Sequence, residues 1–297
     1  MAKNLVEQAL ATGEMFITDG PFGTQLQAAG LKLGECPEEW NLSHPDVVKR
    51  ILQGYKDAGS QCAKTNSFGA SRVKLARMGL ADKAAEINRA AAALAREVSG
   101  PDRIVLGCVG PTGEMLEPYG DLTEDDAMAA FAEQAKALQE GGVDAILVET
   151  QSILEECCAA IRAAREATGL PVLASFTFSP TLQGGYASMM GVHPADFAPA
   201  AIEAGASVVG TNCSNGPEHM AKVVAELRAS VPAGFPLVAM PNAGLPELKD
   251  GKSVFPEGPE SLAQKCLPFR DCGVRFIGGC CGTTPAHIAE LVKLFRN

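Results

Sequence analysis

Eight short apolar or β-branched runs alternate with eight helical patterns along the whole chain. The strand candidates are 15–19, 62–67, 104–109, 145–150, 171–178, 207–213, 236–241 and 276–280. Helical patterns follow near 45–58, 71–98, 123–140, 152–168, 194–204, 217–230, 259–272 and 285–296. A parallel strand reaches its neighbour only through a crossover, usually a helix. Eight such units of regular length, with no Ser/Gly linker between them, predict one (β/α)8 barrel of the TIM type over residues 1–297. A doubly wound sheet uses the same alternation, but eight regular units favour closure. The first helix comes late, so segment 20–44 is expected to build extra loop structure over one barrel mouth.

At 297 residues the chain exceeds the usual domain size, and composition alone does not separate one large barrel from two domains. It is 46% hydrophobic and 20% charged, enough for a sizeable core. A net charge of −10 argues against nucleic acid and anionic membrane surfaces as partners. No apolar run reaches the roughly 18 residues that span a bilayer. Met1–Gly13 reads as a short polar helix and not as a signal peptide, so a cytoplasmic location is expected.

In this fold the chemistry sits at the C-terminal ends of the strands, where the unusual polar residues fall. They are Asp19-Gly20, Thr65-Asn66, Glu149-Thr150, Asn212-Cys213, Asn242 and Cys280-Cys281. The chain has ten cysteines. Disulfides are rare in a reducing compartment, which leaves metal binding or plain packing. Cys36, Cys62, Cys108, Cys157, Cys158, Cys266 and Cys272 lie in ordinary apolar or helical surroundings and read as inert. Cys157-Cys158 serves as a control: it is also an adjacent pair, but on a helical pattern without glycines.

Cys213 and Cys280-Cys281 differ from these. Strands 6 and 8 are both even-numbered, and alternate strands fill the same interior layer, so the three thiols can meet. Consecutive strand residues point to opposite faces, so both sulfurs of the pair face the axis only where the strand breaks. Gly278, Gly279 and Gly282 make such a break inexpensive. Two inert buried cysteines, a strained vicinal disulfide and an iron–sulfur cluster are the competing readings. The disulfide would be strained, and the cluster wants a fourth thiolate that the sequence does not offer. Zinc held by three thiolates with one exchangeable position is favoured. Such a site keeps a fourth thiolate electron-rich, suited to attack on a methyl carbon more than to hydrolysis. A redox or purely structural zinc/thiol barrel is the competing function.

The motifs Asp19–Thr24, Thr65–Ala70, Gly107–Gly113, Val148–Thr150, Asn212–Pro217, Pro241–Pro246 and Gly278–Pro285 together resemble the homocysteine S-methyltransferase family over nearly the whole chain. They look most like the homocysteine-binding module of cobalamin-dependent methionine synthase. The resemblance implies a zinc-dependent methyl transfer to homocysteine, giving methionine, with Cys213, Cys280 and Cys281 as zinc ligands. It implies Asp19 and Glu149 for the substrate amino group. The backbone around Gly20, Phe22, Gly23 and Thr24 would hold the carboxylate, and Asn242 would sit near the metal. Thr65 and Asn66 either contact substrate or fix loop geometry. Among the methyl donors of the family, the motifs resemble the methylcobalamin branch more than the S-methylmethionine or betaine branches. The implied partner is a corrinoid domain or protein at the barrel mouth. His44, His193, His219 and His287 read as solvated or capping residues.

Overall fold

The computed structural model describes residues 4–249 and 252–296. Its sheet contains β1 (Phe16–Ile17), β2 (Cys62–Lys64), β3 (Ile104–Val109), β4 (Ala145–Gln151), β5 (Val172–Phe176), β6 (Val208–Asn212), β7 (Leu237–Met240) and β8 (Val274–Ile277). All neighbours pair in parallel, in the order β1-β8-β7-β6-β5-β4-β3-β2. No ladder joins β1 to β2. Instead Gln61 N donates to Ile17 O at 2.7 Å, and Ile17 N donates to the Gln61 side chain at 3.1 Å. The barrel is therefore nearly closed, with side chains completing the last seam.

The helices α1 (Pro45–Asp57), α2 (Ala84–Ser99), α3 (Glu124–Glu140), α4 (Leu154–Thr168), α5 (Pro194–Glu203), α6 (Pro217–Ala229), α7 (Pro259–Lys265) and α8 (Pro285–Arg296) follow the strands in turn. Two of the expected helical stretches are broken. Residues 71–98 form Arg72–Ala76, a turn at Gly79 with φ +68°, a 3₁₀ turn and then α2. The stretch 259–272 stops at Lys265 and restarts as Pro268–Asp271, because Pro268 has no N–H to continue α7. Thr123 caps α3 by accepting from Asp126 N, and Gly169 closes α4 in the left-handed conformation.

The strands are buried on both faces, and their side chains alternate with period two between two clusters. Cys62, Ile104, Leu106, Cys108, Ala145, Leu147, Val208, Val238 and Met240 pack together inside the barrel. Val105, Val109, Ile146, Val148 and Val209 pack outward against the helices. Continuing the inward register to the strand ends puts Lys64, Glu149 and Asn212 in the top layer.

The N-terminal helix Leu5–Thr12 is amphipathic, not simply polar. Val6 and Ala9 are buried among the interior side chains, and Asn4 Nδ2 donates to Asp144 O, just before β4, at 2.7 Å. This helix plugs the end of the barrel opposite the cysteines. Among the described residues no helix is long and apolar enough to cross a membrane.

Candidate active site

The strand ends surround a cavity of about 320 Å³ lined by Phe22, Gly23, Thr24, Glu38, Lys64, Thr65, Asn66, Phe68, Cys108, Glu149, Thr150 and the three cysteines, among others. The ligand atoms of Cys213, Cys280 and Cys281 all lie within 4.8 Å of one another, and the sulfurs of Cys213 and Cys281 are 4.0 Å apart. Among the described residues they are the one group of three or more His, Cys, Asp or Glu side chains able to hold a metal. The Cys157-Cys158 control lies on α4 and joins no such group.

Local sequence explains the convergence. Strand β8 ends at Ile277, earlier than expected, so the cysteine pair sits on a turn and not on the strand. Thr283 N closes that turn on Cys280 O at 3.1 Å, with Gly282 at φ +80°. A Cβ on Gly278 would lie 1.9 Å from Thr18 Oγ1, and one on Gly279 would lie 2.1 Å from Thr283 Oγ1. The backbone here approaches its neighbours too closely for any other residue. On the facing strand, β6 ends at Asn212, and Cys213 and Ser214 follow at φ 62° and 58°. Thr150, beyond Glu149, has φ 61°. Among the described residues these are the non-glycine residues in the left-handed region, and all three stand at this mouth.

Asn212 ties the two strand ends together. Its Oδ1 accepts from Thr150 N at 2.8 Å and Ser175 Oγ at 2.7 Å. Its Nδ2 donates to Thr150 Oγ1 at 2.7 Å and toward the Cys280 sulfur at 3.8 Å.

The donor set fits zinc. Tetrahedral zinc with Zn–S near 2.3 Å places its sulfurs about 3.8 Å apart, close to the observed Cys213–Cys281 spacing. Without a cation the thiols resist ionising. Cys280 is pushed up to about 12 by the hydrogen bond with Cys213 and by burial. In Cys213 and Cys281 a sulfur hydrogen bond favouring the thiolate is outweighed by an opposing one and by burial. They stand at about 11 and about 12 respectively. A bound cation reverses this balance.

The other expected site residues divide. Phe22, Gly23, Thr24 and Glu149 line the cavity, and the buried Thr24 Oγ1 has no hydrogen-bond partner. Thr65 and Asn66 also line it, while holding loops: Thr65 Oγ1 accepts from Cys108 N at 2.9 Å, and Asn66 Nδ2 donates to Pro37 O at 2.8 Å. Asp19, Gly20 and Asn242 do not line it. Asp19 is fully buried behind Lys64, and its Oδ2 accepts from Lys64 N at 2.8 Å across the β1–β2 seam. Gly20 packs against the Tyr55 ring. Asn242 is buried, donates its N–H to Asn215 O at 3.0 Å, and leaves Oδ1 unpartnered. The histidines lie elsewhere: His193 caps α5, His219 meets the Tyr186 hydroxyl, His44 stacks on Trp40, and buried His287 accepts from Thr284 N.

Two site residues were not singled out from sequence, and Asn212 was placed at its strand end without a role. Lys64 carried a signal, a charge on the inward register of a buried strand. Glu38 lies in an irregular loop, with nothing in the sequence to mark it; its Oε1 accepts from Gly69 N at 2.6 Å.

Burial raises the Asp19 carboxyl from 3.8 to about 6, against the pull of Lys64. A carboxyl with a raised folded-state pKa favours the folded state while protonated, and that advantage is lost as pH rises from about 3.8 to about 6. Asp19→Asn keeps an acceptor for Lys64 N. In the metal-free protein it should remove this downward contribution to stability over that window, read by urea unfolding at a series of pH values. An unchanged profile would show that Asp19 does not titrate there.

Residues 16–295 match the homocysteine S-methyltransferase family model. The chain belongs to that family. It is 36% identical to methionine synthase of Mycobacterium tuberculosis over 95% of its own length and 25% of that protein's. It thus spans about a quarter of the methionine synthases it matches. It is 32% identical to betaine–homocysteine S-methyltransferase 1 of Danio rerio, covering 98% of this chain and 76% of that one. The homocysteine methyltransferase MmuM of Escherichia coli superposes in its oxidized form with TM-score 0.76 and 25% identity, over 98% of this chain and 99% of that one. Its metallated form gives TM-score 0.79 at 24% identity.

This corrects the methylcobalamin donor and the corrinoid partner expected from the loop motifs. The homocysteine methyltransferase MmuM and this chain cover one another almost completely, at 98% and 99%. The motifs that suggested the donor make hydrogen bonds to this barrel's own frame. Ser67 Oγ donates to Cys108 O at 2.7 Å, and Asn215 Nδ2 donates to Phe178 O at 2.5 Å. Neither contact reads a donor.

Proposed function

We propose that the chain transfers a methyl group from a small onium donor, S-methylmethionine or betaine, to the sulfur of homocysteine, giving methionine. The observation that carries this reading is the convergence of three cysteine thiols on the wall of a cavity in a homocysteine S-methyltransferase barrel. Zinc bound by Cys213, Cys280 and Cys281 would supply a Lewis acid that keeps a thiol deprotonated at neutral pH. The rest falls to the chain's own side chains. Glu149, on the inward register of β4, faces the ammonium of the substrate. The backbone from Phe22 to Thr24, with the unpartnered Thr24 hydroxyl, receives the carboxylate. Phe22 and Phe68 are the aromatic side chains of the cavity lining, and the Lys74 ammonium stands over the Phe68 ring at 4.8 Å from its centroid. The thiol proton leaves to solvent, and a sulfur lone pair forms the new S–CH3 bond. The C–S⁺ or C–N⁺ bond of the donor breaks, and its electron pair stays on the donor atom. All ten cysteines are free, which supports a reducing, cytoplasmic setting.

The test is zinc-edge X-ray absorption of the reduced chain with and without homocysteine, followed by turnover with each donor. The reading requires about one zinc, moving from three sulfurs and a lighter atom to four sulfurs. It also requires methionine formation without any corrinoid. A sulfur count unmoved by homocysteine would overturn it.

A further inference from the structure

We propose that Gln25 is a positioning residue: it ties the segment that receives the substrate carboxylate to the turn that carries Cys280 and Cys281, and so fixes the length that a thiol amino acid must span. The inference rests on the homocysteine reading above and deepens it by naming a residue that sets substrate length.

Two stretches of chain meet at this mouth. One runs from Asp19 to Gln25 and brings Phe22, Gly23 and Thr24 to the cavity. The other runs from Gly279 to Thr283 and brings Cys280 and Cys281. Each end of one is bonded to the matching end of the other. Gly279 N donates to Asp19 O at 3.1 Å, and Gln25 Nε2 donates to Thr283 O at 3.3 Å. The first tie is a backbone bond and does not depend on which side chains stand there. The second depends on a single side-chain amide.

Thr283 passes the second tie to a cysteine of the metal corner. It is fully buried, and its N–H and its Oγ1 both donate to Cys280 O, at 3.1 Å and 2.8 Å. On the other side of the tie, Thr24 adjoins Gln25, and its buried Oγ1 faces the cavity wall without a partner. A hydroxyl in that state is a donor waiting for a carboxylate. The near half of the segment is held separately, because the Tyr55 hydroxyl donates to Pro21 O at 3.1 Å. Loss of the Gln25 amide therefore frees the Thr24 end and leaves the Asp19 end in place. A thiol with a carboxylate feels that change, and a thiol without one does not. The discriminating probe is 3-aminopropane-1-thiol, which is homocysteine with hydrogen in place of the carboxylate.

The experiment is calorimetric titration of the zinc-loaded full chain with homocysteine, cysteine and 3-aminopropane-1-thiol. It is repeated on Gln25→Met and Gln25→Leu, neither of which can donate to Thr283 O. In the wild type, cysteine is one methylene too short and should bind at least about tenfold more weakly than homocysteine. Both variants should weaken homocysteine by about tenfold, the loss of one hydrogen bond to a charged group, and leave 3-aminopropane-1-thiol within about twofold. A residue that served only the fold would move both thiols together. That result, or a homocysteine Kd unmoved in both variants, would overturn the proposal and leave thiol binding standing. So would cysteine binding the wild type as tightly as homocysteine, a comparison that decides even if a variant does not fold. Failure of homocysteine to bind the wild type would overturn the thiol reading together with the proposal.

Discussion

Cys280→Ser is expected to strip the chain of zinc and of methyl transfer while leaving the barrel folded. Loss of a residue that only orients a ligand typically costs 10–100-fold in metal affinity, and Cys280 would be a ligand. A loss of at least about 100-fold in zinc affinity is therefore expected, with activity falling alongside. Folding should survive because no backbone contact of Cys280 runs through its sulfur. Cys280 N donates to Pro241 O at 2.8 Å, and Cys280 O accepts from Thr283 N and Thr283 Oγ1. All three bonds remain in the serine variant. Cys213→Ser should behave alike. Cys157→Ser, on α4 and buried away from the cavity, should keep its zinc. Metal analysis after dialysis, paired with urea unfolding in chelator, separates the outcomes. A Cys280→Ser protein that retains one zinc and full turnover would remove the cysteine corner from the mechanism.

Hydrophobic period and spacing made the barrel and its cysteine corner readable, because both are local properties. All eight strands and all eight following helices lie where the alternation put them, and the breaks at Gly79 and Pro268 fall on residues that disfavour helix. The glycines around Cys280 and Cys281 announced a close approach, although the strand stops sooner than the apolar run does. Depth within the mouth was not readable. Asp19 and Glu149 look alike in sequence, each an acid at a strand end. Yet β1 is two residues long, and Asp19 is drawn back to close the β1–β2 seam that no ladder closes. Glu149 continues the inward register of β4 and reaches the cavity. Asn242 is likewise buried, with its N–H donated to Asn215 O. The methyl donor was misread for a related reason: the motifs that suggested it make hydrogen bonds to the frame.

Asn212→Ala is the second change expected to act strongly, through several contacts at once. The Asn212 amide holds Thr150 N, Thr150 Oγ1 and Ser175 Oγ, and it points its Nδ2 at the Cys280 sulfur. Thr150 is a β-branched residue at φ 61°, a conformation that costs about 1–3 kcal/mol and persists only where neighbours enforce it. Truncation leaves the Thr150 N–H and the Ser175 hydroxyl without their partner, at about 1–3 kcal/mol for each group that water cannot reach. Release of the Thr150 strain offsets part of that. The net expectation is a loss of about 2–4 kcal/mol in unfolding free energy and 10–100-fold in zinc affinity. Asn212→Asp distinguishes the two roles. The carboxylate can still accept from Thr150 N and Ser175 Oγ, but it cannot donate to sulfur, and it adds negative charge beside three thiolates. Stability should therefore recover in the aspartate variant, while zinc affinity should stay as low as in alanine or fall further. If both variants bind zinc as tightly as the wild type, the three cysteines are held by their own turns, and Asn212 serves only to brace β4 against β6.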